Sequence, residues 1–112
     1  MSKELIEILK KGIVDNFNPK KIILFGSYAK GTATEKSDID ICIIIETTDR
    51  RRLRREISKY IYAKSGLDFD KPVDVLIYTI EEWKKYLLEK GTFANHILNK
   101  GVILYDRQHK VQ

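Results

Sequence analysis

The residues able to do chemistry cluster in FGSYAKGTATEKSDID, residues 25–40, and at one later position, Asp74. Asp38 and Asp40 are two apart, and side chains two apart on a strand share a face. With Cα atoms about 7 Å apart, their carboxylates repel unless a cation sits between them. Mg²⁺, a hard cation that takes oxygen ligands, suits such a pair. Asp74 is set among Val73, Val75, Leu76 and Ile77, where an idle charge is costly. If its strand lies beside that of Asp38 and Asp40, three carboxylates converge. Such a cluster can hold two Mg²⁺ ions about 4 Å apart for a phosphoryl transfer. Gly26 lets phosphates approach the backbone closely, and Ser27 offers an N–H and a hydroxyl to them.

Singly, these residues have ordinary structural uses. Asp and Ser at strand ends form turns, and an acidic residue between valines can simply face solvent on an edge strand. It is the combination that points to chemistry: Gly-Ser, ten residues, Asp-x-Asp, then an Asp on a later strand. Other phosphate and hydrolytic motifs fit poorly. Gly26 to Gly31 has P-loop spacing, but Thr32-Ala33 follows where that motif needs Lys and Ser or Thr. A Ser27 hydrolase would need a histidine base, and the two histidines fall on a helix (His96) and in the tail (His109), both expected to be structural or exposed. No His/Cys spacing suggests zinc.

These residues need strands to hold them. The runs 21–25 and 39–45 are short, apolar and rich in isoleucine, as buried strands are. A third run, 73–78, follows Pro72, which is tolerated at a strand's start. Ahead of them, Leu5, Ile6, Leu9, Ile13 and Phe17 recur at helical spacing over 3–17, ending near Asn16 to Pro19. Leu53, Ile57, Tyr60 and Ile61 mark a crossover helix between the second and third strands. Thr79-Ile80-Glu81-Glu82 has the form of a capping box, with Ile80, Trp83 and Leu87 on one face behind it. Gly91 should end that helix, and 92–100 should form another, stopped by Gly101. The order αββαβαα predicts an α+β or irregular α/β fold, not a doubly wound sheet.

At 112 residues, with no repeat and no Gly, Ser or Pro-rich linker, the chain reads as a single domain over 1–112. Such a length leaves room for one core and excludes a large two-domain enzyme. The single Cys42 lies in IDICIII, where it serves as a small buried hydrophobe in a reducing compartment. No segment has the roughly 18 consecutive apolar residues of a membrane helix, and charges break up the N-terminal MSKELIEILKKG, unlike a signal peptide. The expectation is a cytoplasmic protein that does not engage membranes. A net charge of +5 suits polyanions without identifying one. The run Asp49-Arg50-Arg51-Arg52-Leu53-Arg54-Arg55-Glu56 sets Arg51 and Arg55 four apart as like charges. It is either a solvated helix face or a docking surface for an acidic partner or RNA.

On Gly26-Ser27, Asp38, Asp40 and Asp74, the sequence resembles the minimal nucleotidyltransferases of the DNA polymerase beta superfamily. The resemblance covers nearly the whole chain. It implies the polymerase beta-like nucleotidyltransferase fold, here a three-stranded mixed sheet packed with about four helices. Members of this length resemble antitoxins paired with a small helical HEPN ribonuclease toxin, which they silence by transferring AMP from ATP onto a tyrosine. The resemblance implies that Asp38 and Asp40 ligate two Mg²⁺ ions and the ATP phosphates. It further implies that Asp74 completes one metal site and helps deprotonate the acceptor, and that Gly26 and Ser27 grip the triphosphate. Lys30 stands where the family often has Arg, and meets a phosphate as a point charge without the bidentate fork. With no room for an acceptor-holding domain, the acceptor is expected to be a protein. RNA is admitted as a partner but not required, and homo- or hetero-oligomers are both open. The alternatives are transfer to RNA or to a small molecule, or an inactive antitoxin that acts by contact alone.

Overall fold

The three apolar runs form strands because their β-branched side chains suit a pleated surface, the first two buried on both faces and the third on one, with Asp74 exposed on the other. In the computed structural model, which describes residues 2–64 and 72–109, they are β1 (Lys21–Phe25), β2 (Ile39–Ile44) and β3 (Val73–Tyr78). β1 and β2 are antiparallel, while β2 and β3 are parallel. The parallel pair is joined by helix α3 (Arg50–Lys59), continued by a π-helical turn (Tyr60–Lys64), the crossover that a parallel pair requires.

A fourth strand, β4 (Val102–Asp106), is added to the expected three, and pairs antiparallel with β1. The sheet order is β3-β2-β1-β4. VILYD escapes sequence reading because it is short and lies directly behind a helix stop. Its exposed Val102 and Ile103 give it no inside–outside alternation. Five α-helices, rather than about four, complete the described fold: α1 (Ser2–Phe17), α2 (Ser27–Lys30), α3, α4 (Ile80–Leu87) and α5 (Phe93–Lys100). The four-residue α2 occupies the segment expected to be a polar loop, and is too short to leave a periodic signal.

The sheet has a different core on each face. Ile22 and Leu24 of β1, Ile39, Ile41 and Ile43 of β2, and Val73, Val75 and Ile77 of β3 pack with Ile6, Leu9 and Ile13 of α1 and Ile57 of α3. The alternate residues Ile23, Cys42 and Ile44 pack with Trp83 of α4 and Ala94 and Ile97 of α5. Double coverage explains why β2 reads as an unbroken apolar run. Cys42 is fully buried, and burial pushes its thiol up to about 12.

The helix ends follow local rules. α1 stops at Asn18, in a left-handed conformation at φ 52°, ahead of the buried Pro19. The capping box of α4 forms as expected, with Glu82 N–H donating to Thr79 Oγ1 at 3.1 Å and Thr79 N–H to Glu82 Oε1 at 3.0 Å. α4 ends at Leu87, earlier than Gly91; Gly91 instead turns the chain at φ 78° before Thr92 caps α5. Among the described residues, no helix is long and apolar enough to cross a membrane.

Candidate active site

Asp40 is the second residue of β2, and strand alternation sets it on the face of Cys42 and Ile44, beyond the cover of α4 and α5. The parallel register places it directly beside Asp74, the second residue of β3. The condition set by the sequence is thus met: the third strand lies beside the second and brings the two carboxylates together. Asp38 stands just ahead of β2, exposed, and close enough to add to the charge felt by Asp40.

The electrostatics follow from this packing. Burial, the charge of Asp74, a hydrogen bond with Asp74, and the charge of Asp38 together push the Asp40 carboxyl up to about 6. None of the three carboxylates forms an ion pair among the described residues. Among the described residues no three acidic, His or Cys side chains are gathered so as to hold a metal ion: Asp40 and Asp74 are in contact and Asp38 is at the rim, so two of the three expected carboxylates converge. An all-oxygen, uncompensated and open donor set fits Mg²⁺, which is commonly held by one or two carboxylates plus substrate phosphates.

On the other side of Asp40, β1 ends at Phe25, its antiparallel partner across the ladder. Gly26 follows at φ 75°, ψ −154°, and a Cβ at this position would collide with Oδ2 of Asp40. Glycine is therefore demanded twice, by backbone conformation and by the carboxylate at its back. Sequence reasoning offered only phosphate access as its reason. Ser27 opens α2, whose first turn is closed by N–H donation from Ala29 and Lys30 to the Gly26 carbonyl, each at 3.1 Å. Lys30 ends that helix, exposed, and Gly31 caps it at φ 78°. Ser27 thus lies one residue from the glycine that backs Asp40, while Lys30 is a helical turn further out.

Phe25 also meets Phe93 edge-on, with centroids 5.7 Å apart, and Phe93 stacks on the exposed His96 at 6.1 Å. His96 is thus an exposed helix residue, as expected; the side chain of His109 lies outside the described residues.

The family model described as a nucleotidyltransferase domain matches residues 6–104. The chain belongs to this family. A nucleotidyltransferase of this kind has relatives in archaea. One, from Methanocaldococcus jannaschii, bears the name "Putative protein adenylyltransferase MJ0141"; it is 33% identical over 101 residues, covering 88% of this chain and 94% of its own. Another is the protein adenylyltransferase MntA of Thermococcus cleftensis, 36% identical over 61 residues, or 54% of this chain and 62% of that one. Among solved structures, a toxin-antitoxin with AMP-PNP superposes with a TM-score of 0.61 at 26% identity, covering 91% of this chain and 74% of that one. An MntA-HpeT toxin-antitoxin structure shares the fold, with a TM-score of 0.56 at 24% identity over 96% of this chain and 74% of its own. The mixed α+β architecture is thus that of the nucleotidyltransferases.

Proposed function

We propose that this nucleotidyltransferase is an ATP- and Mg²⁺-dependent protein adenylyltransferase that transfers AMP to a tyrosine of a HEPN toxin and so acts as its antitoxin. The observation that carries the reading is the contact of Asp40 with Asp74 in adjacent parallel strands, with Asp38 at the rim and Gly26 behind. Relatives named as protein adenylyltransferases and a solved toxin-antitoxin neighbour support the acceptor class.

Asp38 and Asp40 would hold the Mg²⁺ ions that meet the ATP phosphates, and Asp74 would complete one metal site and take the acceptor's proton. When bound there, two Mg²⁺ ions would neutralise charge on the phosphates and make the α-phosphorus more electrophilic. Ser27 donates its hydroxyl and N–H to phosphate oxygens, Gly26 leaves them room, and Lys30 adds a point charge. The acceptor oxygen forms a bond to the α-phosphorus as its proton passes to Asp74. The bond from that phosphorus to the bridging oxygen breaks, and pyrophosphate departs.

The test incubates the protein with Mg²⁺, ATP labelled on the α-phosphate, and the product of the neighbouring gene, beside an Asp38→Asn/Asp40→Asn control. Label on the partner that is absent from the control supports the reading. Label on RNA alone would move the acceptor to RNA. If the control labels as well as wild type, the metal-binding assignment is wrong. No label with intact toxin neutralisation would leave an antitoxin acting by contact.

A further inference from the structure

β3 is an outer strand of the sheet, with no described strand on its far side. Ile39 N–H donates to the Pro72 carbonyl and Ile45 N–H to the Tyr78 carbonyl, both at 3.0 Å. In a parallel ladder this commits the even-numbered residues of β3 to β2, and the peptide groups of Val75 and Ile77 point outward. They form the floor of an open groove of about 490 Å³, lined also by Arg50, Arg51 and Arg54 of α3 and by Glu82 and Tyr86 of α4. Arg50 and Glu82 are paired at 2.7 Å across the Tyr78 end. At its other end the groove stops at Val75, the neighbour of Asp74 in β3, and beyond it the outward N–H of Val73 donates to the Tyr62 hydroxyl at 2.6 Å.

Charge selects the occupant. Arg50 is neutralised by Glu82 and Arg52 by Glu56, whereas Arg51, Arg54 and Arg55 are exposed and form no ion pair among the described residues. Arg51 and Arg54 are three residues apart, about 4.5 Å along the axis of α3, so both stand on one helical turn beside the groove. An extended segment carrying acidic residues therefore matches this wall in sign. A second copy of the chain would bring the same arginines face to face. An RNA strand would satisfy the arginines but would leave the outward peptide groups unpaired.

We propose that the outer edge of β3, walled by Arg51 and Arg54, docks an extended acidic segment of the acceptor protein as an added strand, leading its hydroxyl towards Asp74. The proposal rests on the protein-acceptor reading above and adds how the acceptor is chosen. Strand addition supplies main-chain hydrogen bonds, and alternate side chains supply selectivity.

The test uses three single-tyrosine peptides of equal length, with acidic, neutral or basic residues at alternate positions, assayed with Mg²⁺ and α-labelled ATP. The acidic peptide should show kcat/KM about tenfold above the neutral one, as two exposed ion pairs allow. Arg51→Ala/Arg54→Ala should remove that preference through KM, with kcat and the KM for ATP unchanged. Amide exchange at Val75 and Ile77, followed by NMR, should slow when the acidic peptide is added. Preference retained by the double variant, or unchanged exchange at Val75 and Ile77, would overturn the proposal while leaving adenylylation standing. Exchange slowed by the acidic peptide in wild type only, with no peptide or protein labelled, would keep the docking edge and sink the protein-acceptor reading. A single-stranded RNA that displaces the acidic peptide and itself slows exchange there would assign the edge to RNA.

Discussion

Asp40 is held between two constraints, the Asp74 carboxylate on one side and the bare α-carbon of Gly26 on the other. Gly26→Ala would place a methyl group against Oδ2 of Asp40 in a backbone conformation that non-glycine residues avoid. The variant should lose about 1–3 kcal/mol of stability, and kcat should fall by about a hundredfold as the carboxylate is displaced; denaturant melts and AMP-transfer rates check both. The raised Asp40 pKa makes a second prediction for the metal-free protein. Between the unfolded value of 3.8 and the folded value of about 6, the folded state holds the extra proton. Stability therefore falls as pH rises through that window. Asp40→Asn should remove the fall, stabilising the metal-free protein by on the order of 1 kcal/mol near pH 8, after allowing for solvent screening, and by almost nothing near pH 4. Thermal melts in EDTA at the two pH values measure it, and equal gains at both would contradict the electrostatic cause.

Secondary structure was most legible where one local rule acts alone. The capping box at Thr79 and Glu82 is a four-residue pattern and forms as read. Thr79→Ala should therefore cost about 1 kcal/mol, seen as a Tm lower by about 4–8 °C, while the KM for ATP stays unchanged. The isoleucine runs declared β1 and β2 through composition, and the Asp-x-Asp spacing declared the pair of carboxylates. The contact of Asp74 with Asp40 was legible only as a condition, because register is a property of two strands separated by a crossover. The collision that Gly26 avoids was not legible, since it depends on the β1–β2 hairpin bringing Phe25 opposite Asp40. α2 was missed because four residues are too few to show a period, and β4 because it follows a helix stop directly and keeps two apolar residues in solvent.

In the molecule as a whole, the candidate carboxylates lie at one end of the sheet and the exposed Arg51 and Arg54 along its β3 flank, on a chain of net charge +5. An acidic partner is thus attracted from a distance before any contact forms. Raising NaCl from about 50 to about 300 mM should slow association with such a partner several-fold and change dissociation little; stopped-flow binding separates the two rates, and a salt-independent association rate would show that charge does not steer the encounter. The buried Cys42 gives the molecule a further property. With its thiol pushed up to about 12 and no surface exposure, it is almost entirely protonated near neutral pH and shut away from alkylating reagents. Modification must wait for α4 and α5 to lift from the sheet. The rate at which iodoacetamide consumes this thiol is therefore a clock for the opening of the core, already present in the natural sequence, and any cysteine introduced on the surface can carry a dye without first removing another.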